Sequence, residues 1–440
     1  MQKPNKHTAL PIFNAAIKAV QPSVLVPAHL QLDDGVLLIG SNKMLLKDYD
    51  GIYVLSVGKA ASAMASEAEK ILGARITAGL VITKYEHSLP LQHCQTIEAG
   101  HPVPDENGLL AANTIVEFLQ PLTQNSLLLC FISGGASALI ADVADGITLQ
   151  DVQTLSKLLL HCGADIHEIN TVRKHISYLK GGQLVNHAHG ATVFTFIISD
   201  VQGDDMSIIA SGLTVQDPST FKDAWDVMEK YGLIDKLPQA IIMRLESGLN
   251  KLIEETPKPG SAALETVHNY IIGNNQIALN AAALQAKQFG LAVLQIDDLL
   301  HGEARDTAAK LIQLLLNYKG TKPACIIAGG ETTVTIKGKG KGGRNQEFVL
   351  ACLYEWVKLG LAEDDLPVIL SGGTDGTDGP TNAAGAVIDI SIFKYINFSL
   401  KNIENYLNDN ASYLFFELSN SLIKTGATQT NVMDILMAII

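Results

Sequence analysis

The sequence predicts an α/β fold divided into two domains. Near-continuous apolar runs alternate with helix-compatible segments, the pattern of buried parallel strands in βαβ units. Each apolar run ends in glycine or a small polar residue. With 440 residues, 47% of them hydrophobic, the chain exceeds the ~250–300 residues at which a single core stops growing.

In chain order, residues 1–22 form an expected amphipathic helix with Phe13, Ile17 and Val20 on one side. Asn14 and Lys18 interrupt the apolar stretch that a signal peptide would need. The first strand–turn–helix unit is IYVLSVGKAASAMASEAEKIL at 52–72. A second, LLLCFISGGASALIA at 127–141, is the most apolar stretch, but Ser133, Gly134, Gly135 and Ser137 break it. It suits a buried strand and turn, and no run is expected to reach the ~18–20 residues of a membrane span. VFTFIISDVQGDD at 193–205 is a strand that ends in an acidic turn, and QAIIMRLESGLNKLI at 239–253 has a helical pattern. EETPKPGSA at 254–262 then punctuates the chain with prolines and glycine, which places a domain boundary between 1–256 and 257–440. A long surface loop within one domain is the alternative. Beyond it, YIIGNNQIALNAAALQAKQF at 270–289, ACIIAGGETT at 324–333 and PVILSGGTDGTDG at 367–379 repeat the strand-then-turn pattern.

Composition narrows the function. A formal net charge of −13 argues against nucleic-acid or anionic-membrane partners, which want a basic face. The five cysteines are scattered without C-x-x-C spacing, a reduced, cytoplasmic pattern rather than a disulfide framework or zinc site.

Against that acidic background, the stretch TTVTIKGKGKGGRNQEF carries Lys337, Lys339, Lys341 and Arg344 among glycines. Gly338, Gly340 and Gly343 satisfy G-x-G-x-x-G, but Glu363, Asp364 and Asp365 precede the next strand instead of ending it. A dinucleotide's ribose therefore lacks its acid. No Walker A, G-x-S-x-G or H-E-x-x-H pattern occurs. What remains is a phosphate-gripping hairpin, in which glycines let N–H groups approach oxygen anions and alternating lysines place charge on one side. An exposed, solvated turn is the bland counterpart.

Other anion-binding candidates sit at strand ends, where ligands of open parallel sheets collect. Lys59, after Gly58, enters a helix at its positive end, where a second cation suits a shared anion. Ser133, Gly134, Gly135 and Ser137 offer hydroxyls and N–H donors at a helix start. Gly329, Gly330, Gly372 and Gly373 form the corresponding bends of the C-terminal half. Arg173 and Lys174 lie in INTVRKHISYLKGGQL, where Lys180 shares a face with Arg173; they are ordinary solvated charges or hold a substrate carboxylate. Two acidic turns carry Asp200, Asp204 and Asp205, and Asp375 and Asp378. Together with a cationic grip, such carboxylates can hold Mg²⁺ and accept a hydroxyl proton. His101, in GHPVPDENG, is expected to be a loop histidine.

The ordered set SVGKAASAM, GHPVPD, FISGGASAL, INTVRKHISYLKGGQL, ISDVQGDD, SGLTVQDPST, ETPKPG, GGETTVTIKGKGKGGRNQEF and SGGTDGTDGPTNAAGA resembles the glycerate 2-kinases of the MOFRL type. The resemblance runs over nearly the whole chain, from about Ile12 to about Asp434. It implies a Rossmann-like N-terminal domain with a mainly parallel sheet, a smaller C-terminal MOFRL domain with a mixed sheet, and an active site in the cleft between them. It implies phosphorylation of D-glycerate by ATP with a divalent metal such as Mg²⁺, giving 2-phosphoglycerate. The family's GKA lysine maps to Lys59 and its GGRNQE arginine to Arg344. Its acidic loops map to Asp200, Asp204 and Asp205, and to Asp375 and Asp378. The chain departs from the pattern at Ala427 and Gln429, where relatives usually have Pro and Gly.

On this expectation Lys59 and Arg344 neutralise the travelling phosphoryl group, Asp375 and Asp378 hold the metal directly or through water, and Asp200 or Asp204 serves the substrate hydroxyl. The expected partner is the small molecule D-glycerate, with no nucleic acid and no membrane; a homodimer is allowed for. Some relatives carry the label hydroxypyruvate reductase, and an NAD(P)H-dependent reductase is the alternative. It needs the ribose-binding acid that the sequence lacks. A sensor of phosphorylated acids is a third reading, with no need for the paired acidic loops.

Overall fold

Apolar runs with no polar face are strands covered on both sides, and the computed structural model, which describes residues 3–394 and 399–440, bears this out. Residues 25–272 form one compact unit, and residues 1–24 with 273–440 form another.

The unit of residues 25–272 begins with a small antiparallel sheet of β1 (Leu30–Asp33), β2 (Val36–Ile39) and β3 (Asn42–Leu45). Its main sheet comprises β4 (Gly51–Val57), β5 (Ile76–Lys84), β6 (Cys94–Ala99), β7 (Ser126–Ile132), β8 (Thr192–Ile198) and β9 (Val267–Gly273). The order is β6-β5-β4-β7-β8-β9, with β4 parallel to β5 and β7, β5 to β6 and β7 to β8. All seven residues of β7 are buried. The chain leaves β4 through β5 and β6 on one side and resumes at β7 on the other. The topology therefore switches between the carboxyl ends of β4 and β7, where ligands of open α/β sheets bind.

A separate apolar cluster of Leu155, Ile169, Val172, Phe221, Met228, Ile241 and Leu245 joins the helices Leu149–Cys162, Ile166–His175, Phe221–Lys230 and Gln239–Leu249. Asp165 and Thr220 cap two of them through reciprocal capping boxes. This cluster fixes the helix that carries Asn170 and Arg173.

The second unit contains β10 (Ala292–Leu300), β11 (Ala324–Gly330), β12 (Val368–Gly373), β13 (Gly385–Ile388), β14 (Leu422–Ile423) and β15 (Asp434–Ile439) in the order β10-β11-β15-β12-β13-β14. β10 and β11 are parallel, whereas β15 inserts antiparallel between β11 and β12. The sheet is thus mixed, as expected.

Packing divides the chain elsewhere than the punctuation at 254–262. Thr256 donates from Oγ1 to Asp217 at 2.9 Å and Pro257 accepts from Asp217 N at 2.9 Å, which ties that stretch to the unit of residues 25–272; β9 follows and borders β8. The N-terminal helix Lys6–Ala19, capped by Asn5 and Thr8, buries Ala9, Ile12, Phe13, Ala16 and Ile17. It packs on the helix Asn275–Gln288, so the first residues belong with the second unit. The helical stretch Lys6–His29 is long and apolar enough, by length and composition alone, to cross a membrane, which differs from the expectation that no run would be; half of its apolar window is buried in the protein.

Candidate active site at the switch point of the parallel sheet

The ends of β4 and β7 are stitched together residue by residue. Ser133 N donates to Val57 O and Lys59 N to Gly134 O, each at 3.0 Å. Ala60 N donates to Ser133 Oγ at 3.0 Å. Gly58 has φ +129°, and a Cβ there would lie 2.2 Å from Ser133 Oγ and 2.4 Å from Ser133 O. Only glycine allows the two loops to meet. Gly135 is also left-handed, at φ +88°, and a Cβ on it would stand 3.0 Å from His101 Cδ2 and 3.3 Å from Lys59 Cγ. Lys59, Gly135 and His101 are therefore neighbours, and His101, in a loop as expected, stands at this joint.

Beside this joint opens a cavity of about 510 Å³ lined by His101, Gly135, Ser137, Asn170, Arg173 and Asp200, among others. The hydroxyls of Ser137 and Ser211 lie 3.0 Å apart, and Ser211 Oγ donates to Asn170 Oδ1 at 2.9 Å. Ala210 and Ser211 have φ of +53° and +54°, two successive left-handed non-glycine residues of the kind that cluster at functional sites. Arg173 is desolvated, which pulls its guanidinium below the ordinary value.

Two neighbouring lysines, Lys180 and Lys174, are already matched. Lys180 donates to Asp142 and, at 2.9 Å, to Ile140 O. Asp142 also accepts from Ser177 Oγ and from Leu179 N at 3.0 Å. Burial pushes the Lys180 amine down to about 7, and the adjoining Asp142 carboxylate favours its charged form. Lys174, expected at the ligand, is instead buried against Asp217 at 3.2 Å. A lysine with its charge compensated inside the fold has no reason to face an anion.

Of the acidic turn after β8, Asp200 lines the cavity. Asp204 lies in a left-handed turn at φ +56°, its N donating to Val201 O at 3.1 Å. Asp205 is exposed and accepts from Ser207 N at 2.8 Å.

In the second unit, Arg344 opens the helix Arg344–Lys358. Its Nε and Nη2 donate to the two oxygens of Asp434 at 2.5 and 2.9 Å, and Nη1 lies 2.7 Å from Glu331. Burial pulls its guanidinium down, but Asp434 and Glu331 outweigh this and hold it firmly protonated. Asp434 and Glu331 escaped the sequence reading; a lone acid opening the apolar run DILMAII was the available signal.

The segment before Arg344 is not a hairpin. It runs extended along Asp409–Ser412: Lys337 N and Gly338 N donate to Asn410 Oδ1 at 2.8 and 2.9 Å, Lys339 N to Asp409 Oδ1 at 2.9 Å, and Gly340 N to Asp409 O at 2.7 Å. A Cβ on Gly340 would come within 2.5 Å of Ala411 Cβ, and one on Gly343 within 2.3 Å of Asp378 Cγ. The glycines face inward for close packing, while Lys337, Lys339 and Lys341 are exposed. The other strand-end glycines are packed as tightly. A Cβ on Gly329 would meet Asn275 Oδ1 at 1.6 Å, one on Gly330 Leu300 O at 2.3 Å, one on Gly372 Phe13 Cζ at 2.7 Å, and one on Gly373 Thr377 O at 2.9 Å.

The residues expected at the metal fit it unequally. Asp378 accepts from Asn345 N at 3.1 Å, Gln346 N at 2.9 Å, Asn345 Nδ2 at 3.3 Å and Gln346 Nε2 at 2.9 Å. With its oxygens engaged at a helix N-terminus, it acts as a cap rather than a direct metal ligand. Burial pushes its carboxyl up, to about 6, against the backbone donors of Gln346. Asp375 accepts from Thr377 N and Oγ1, each at 3.0 Å, and is only partly buried. Among the described residues no group of three His, Cys, Asp or Glu is placed to hold a metal ion.

Two family models match the chain: one described as a domain of unknown function, DUF4147, over residues 8–246, and the MOFRL family over residues 324–434. The chain is similar to a glycerate 2-kinase of Pyrococcus horikoshii, 38% identical over 441 residues covering 99% of this chain and 97% of the relative. It is similar to a D-glycerate 2-kinase of Thermotoga maritima, 39% identical and covering 89% of this chain and 91% of that one. Among solved structures, a glycerate kinase crystal structure from Thermotoga maritima superposes with a TM-score of 0.83 at 36% identity, covering 99% of each chain.

Proposed function

The chain belongs to the MOFRL-type glycerate 2-kinase family, and from that premise we propose that it transfers the γ-phosphoryl group of ATP to the 2-hydroxyl of D-glycerate, giving 2-phosphoglycerate and ADP. The observation that carries the reading is the joint of β4 and β7, which sets Lys59 beside Gly135 at a switch point, next to a cavity holding Arg173 and Asp200. Phosphoryl transfer asks for positioned charge more than for covalent chemistry.

In this reading we assign Lys59 and Arg344 to neutralising charge on the transferred group. We assign Gly58, Ser133, Gly134, Gly135 and Ser137 to the phosphates, while Gly329, Gly330, Gly340, Gly343, Gly372 and Gly373 fix the loops of their own unit by close packing. Asp200, at the cavity wall, orients the substrate hydroxyl or takes its proton; Asp204, four residues on in the chain, stays a candidate for that role. Arg173 serves the substrate, whereas Lys174 is assigned to its ion pair with Asp217. The family implies a divalent cation as well as ATP. A cation such as Mg²⁺ characteristically binds one or two carboxylates and completes its shell with phosphates and water; Asp375 is the side chain we assign to it, and its chemistry is to offset phosphate charge. Unpaired cysteines, with Cys130, Cys325 and Cys352 buried, support a cytoplasmic location. We assign no nucleic-acid or membrane partner and propose a homodimer as the assembly to be checked by sedimentation.

Incubation with D-glycerate, ATP and Mg²⁺ followed by phosphorus NMR tests the reading. We expect 2-phosphoglycerate and, with hydroxypyruvate, no NADH oxidation. Formation of 3-phosphoglycerate would refute the regiochemistry, and reductase activity without phosphorylation would refute the kinase.

A further inference from the structure

Asn170 and Arg173 stand three residues apart in the helix Ile166–His175 and thus on one face, and both line the cavity beside the β4–β7 joint. Asn170 is 3% exposed. Its Oδ1 accepts from Ser211 Oγ at 2.9 Å, which turns its Nδ2 away from the serines; that nitrogen has no hydrogen-bond partner among the described residues. Buried donors are nearly always satisfied, so an unpaired one on a cavity wall calls for an acceptor brought by a ligand. Arg173 likewise has no ion-pair or hydrogen-bond partner among the described residues. Lys180 and Lys174, by contrast, are matched by Asp142 and Asp217.

The cavity wall thus offers one uncompensated guanidinium and one fixed amide donor, with Asp200 and the exposed Lys157 also on its lining and Ile140, Ile176 and Ile209 among the apolar remainder. A planar monoanion matches this set, since a guanidinium presents a fork suited to a carboxylate.

We propose that Asn170 and Arg173 together bind the carboxylate of the 2-hydroxy acid and make this cavity select an acid over a neutral polyol. The proposal rests on the kinase reading above and adds Asn170 as a specificity-determining residue. Ser211 and Ser137 are positioning residues that hold the amide oxygen so that Nδ2 faces the ligand.

Steady-state kinetics and calorimetric titration with D-glycerate, for the wild-type protein, Arg173→Gln and Asn170→Ala, test it. Arg173 has no partner to lose, so Arg173→Gln should melt like the wild type. We expect KM and Kd for D-glycerate to rise by ~10–100-fold in either variant, the range of charge-assisted hydrogen bonds, while KM for ATP stays within about twofold and the preference for D-glycerate over glycerol falls. Unchanged D-glycerate affinity in a folded Arg173→Gln protein would overturn the proposal, as would a rise falling on ATP instead. If the wild type binds D-glycerate and Arg173→Gln abolishes binding, yet no phosphorylated product forms, the carboxylate site stands and the kinase reading falls.

Discussion

Arg344 shows how a charged side chain can be both structural and poised for chemistry. Asp434 grips it bidentately and is 1% exposed, so Arg344→Ala should cost ~3–5 kcal/mol of stability, the penalty for leaving a buried charge unpaired. It should also lower turnover by ~10³-fold or more if the guanidinium meets the transferring phosphoryl group. Arg344→Lys, which keeps the charge and loses the fork, should retain most of the stability and little of the turnover; equal losses in both variants would assign Arg344 to folding alone. The pair Lys174–Asp217 predicts a pH effect. Burial raises the Asp217 carboxyl, but Lys174, Ser219 and His175 outweigh this and hold it below the usual carboxylate range. Near and below that range the unfolded chain binds the proton more readily, so stability rises with pH there. The contribution is present above the ordinary carboxylate value and lost as pH falls through the lower, folded one. Urea denaturation of Asp217→Asn should show a loss of ~3–5 kcal/mol at pH 7, and the Lys174→Met/Asp217→Leu pair should recover much of it. Lys59 and Arg344 were legible as residue types beside glycines at strand and helix ends. Asp434 was not, because it lies 90 residues from Arg344 in the chain, and pairing at that distance leaves no local pattern.

At the scale of elements, glycine placement was visible in the sequence while its purpose was not. The segment 337–343 presents lysines outward and glycines inward, as alternation predicts, yet its N–H groups at 337–340 go to Asp409 and Asn410 instead of standing open. Asn410 is in turn held by Glu347, which Arg305 grips at 2.7 Å. Gly340→Ala should therefore loosen the segment by driving a methyl into Ala411, giving earlier cleavage in limited proteolysis and a loss of ~1–3 kcal/mol, the usual cost of overpacking. Lys337, Lys339 and Lys341 are exposed, so replacing all three by Ala should leave the melting temperature unchanged. If they attract the nucleotide, KM for ATP should rise and become less sensitive to salt. Gly58→Ala tests the β4–β7 joint: φ of +129° and a 2.2 Å approach to Ser133 Oγ leave no room for a methyl. Activity should disappear in step with a lowered denaturation midpoint, whereas Gly260, whose Cβ would meet nothing within 4 Å, should cost only the strain of its left-handed backbone when replaced by Ala.

At the scale of the molecule, the N-terminal helix is the main departure from linear expectation. Ile12, Phe13 and Ile17 are buried in the unit that also contains residues 273–440. Removing residues 1–24 should thus destabilise that unit by roughly 5–9 kcal/mol, from three large apolar side chains at ~1.5–3 kcal/mol each. Calorimetry of residues 25–440 should show the transition of the second unit lowered or lost; an unchanged profile would mean that the helix is an appendage. The α/β class, the strand ends and the turns that follow them were readable in advance, because hydrophobic period and glycine punctuation are written within a dozen neighbouring residues. Assignment of the first helix to the second unit, the insertion of β15 between β11 and β12, the pairing of Arg344 with Asp434 and the unpaired amide of Asn170 emerged only on folding. Each depends on which distant surfaces meet, and burial, charge pairing and unsatisfied donors are properties of those meetings rather than of any segment alone.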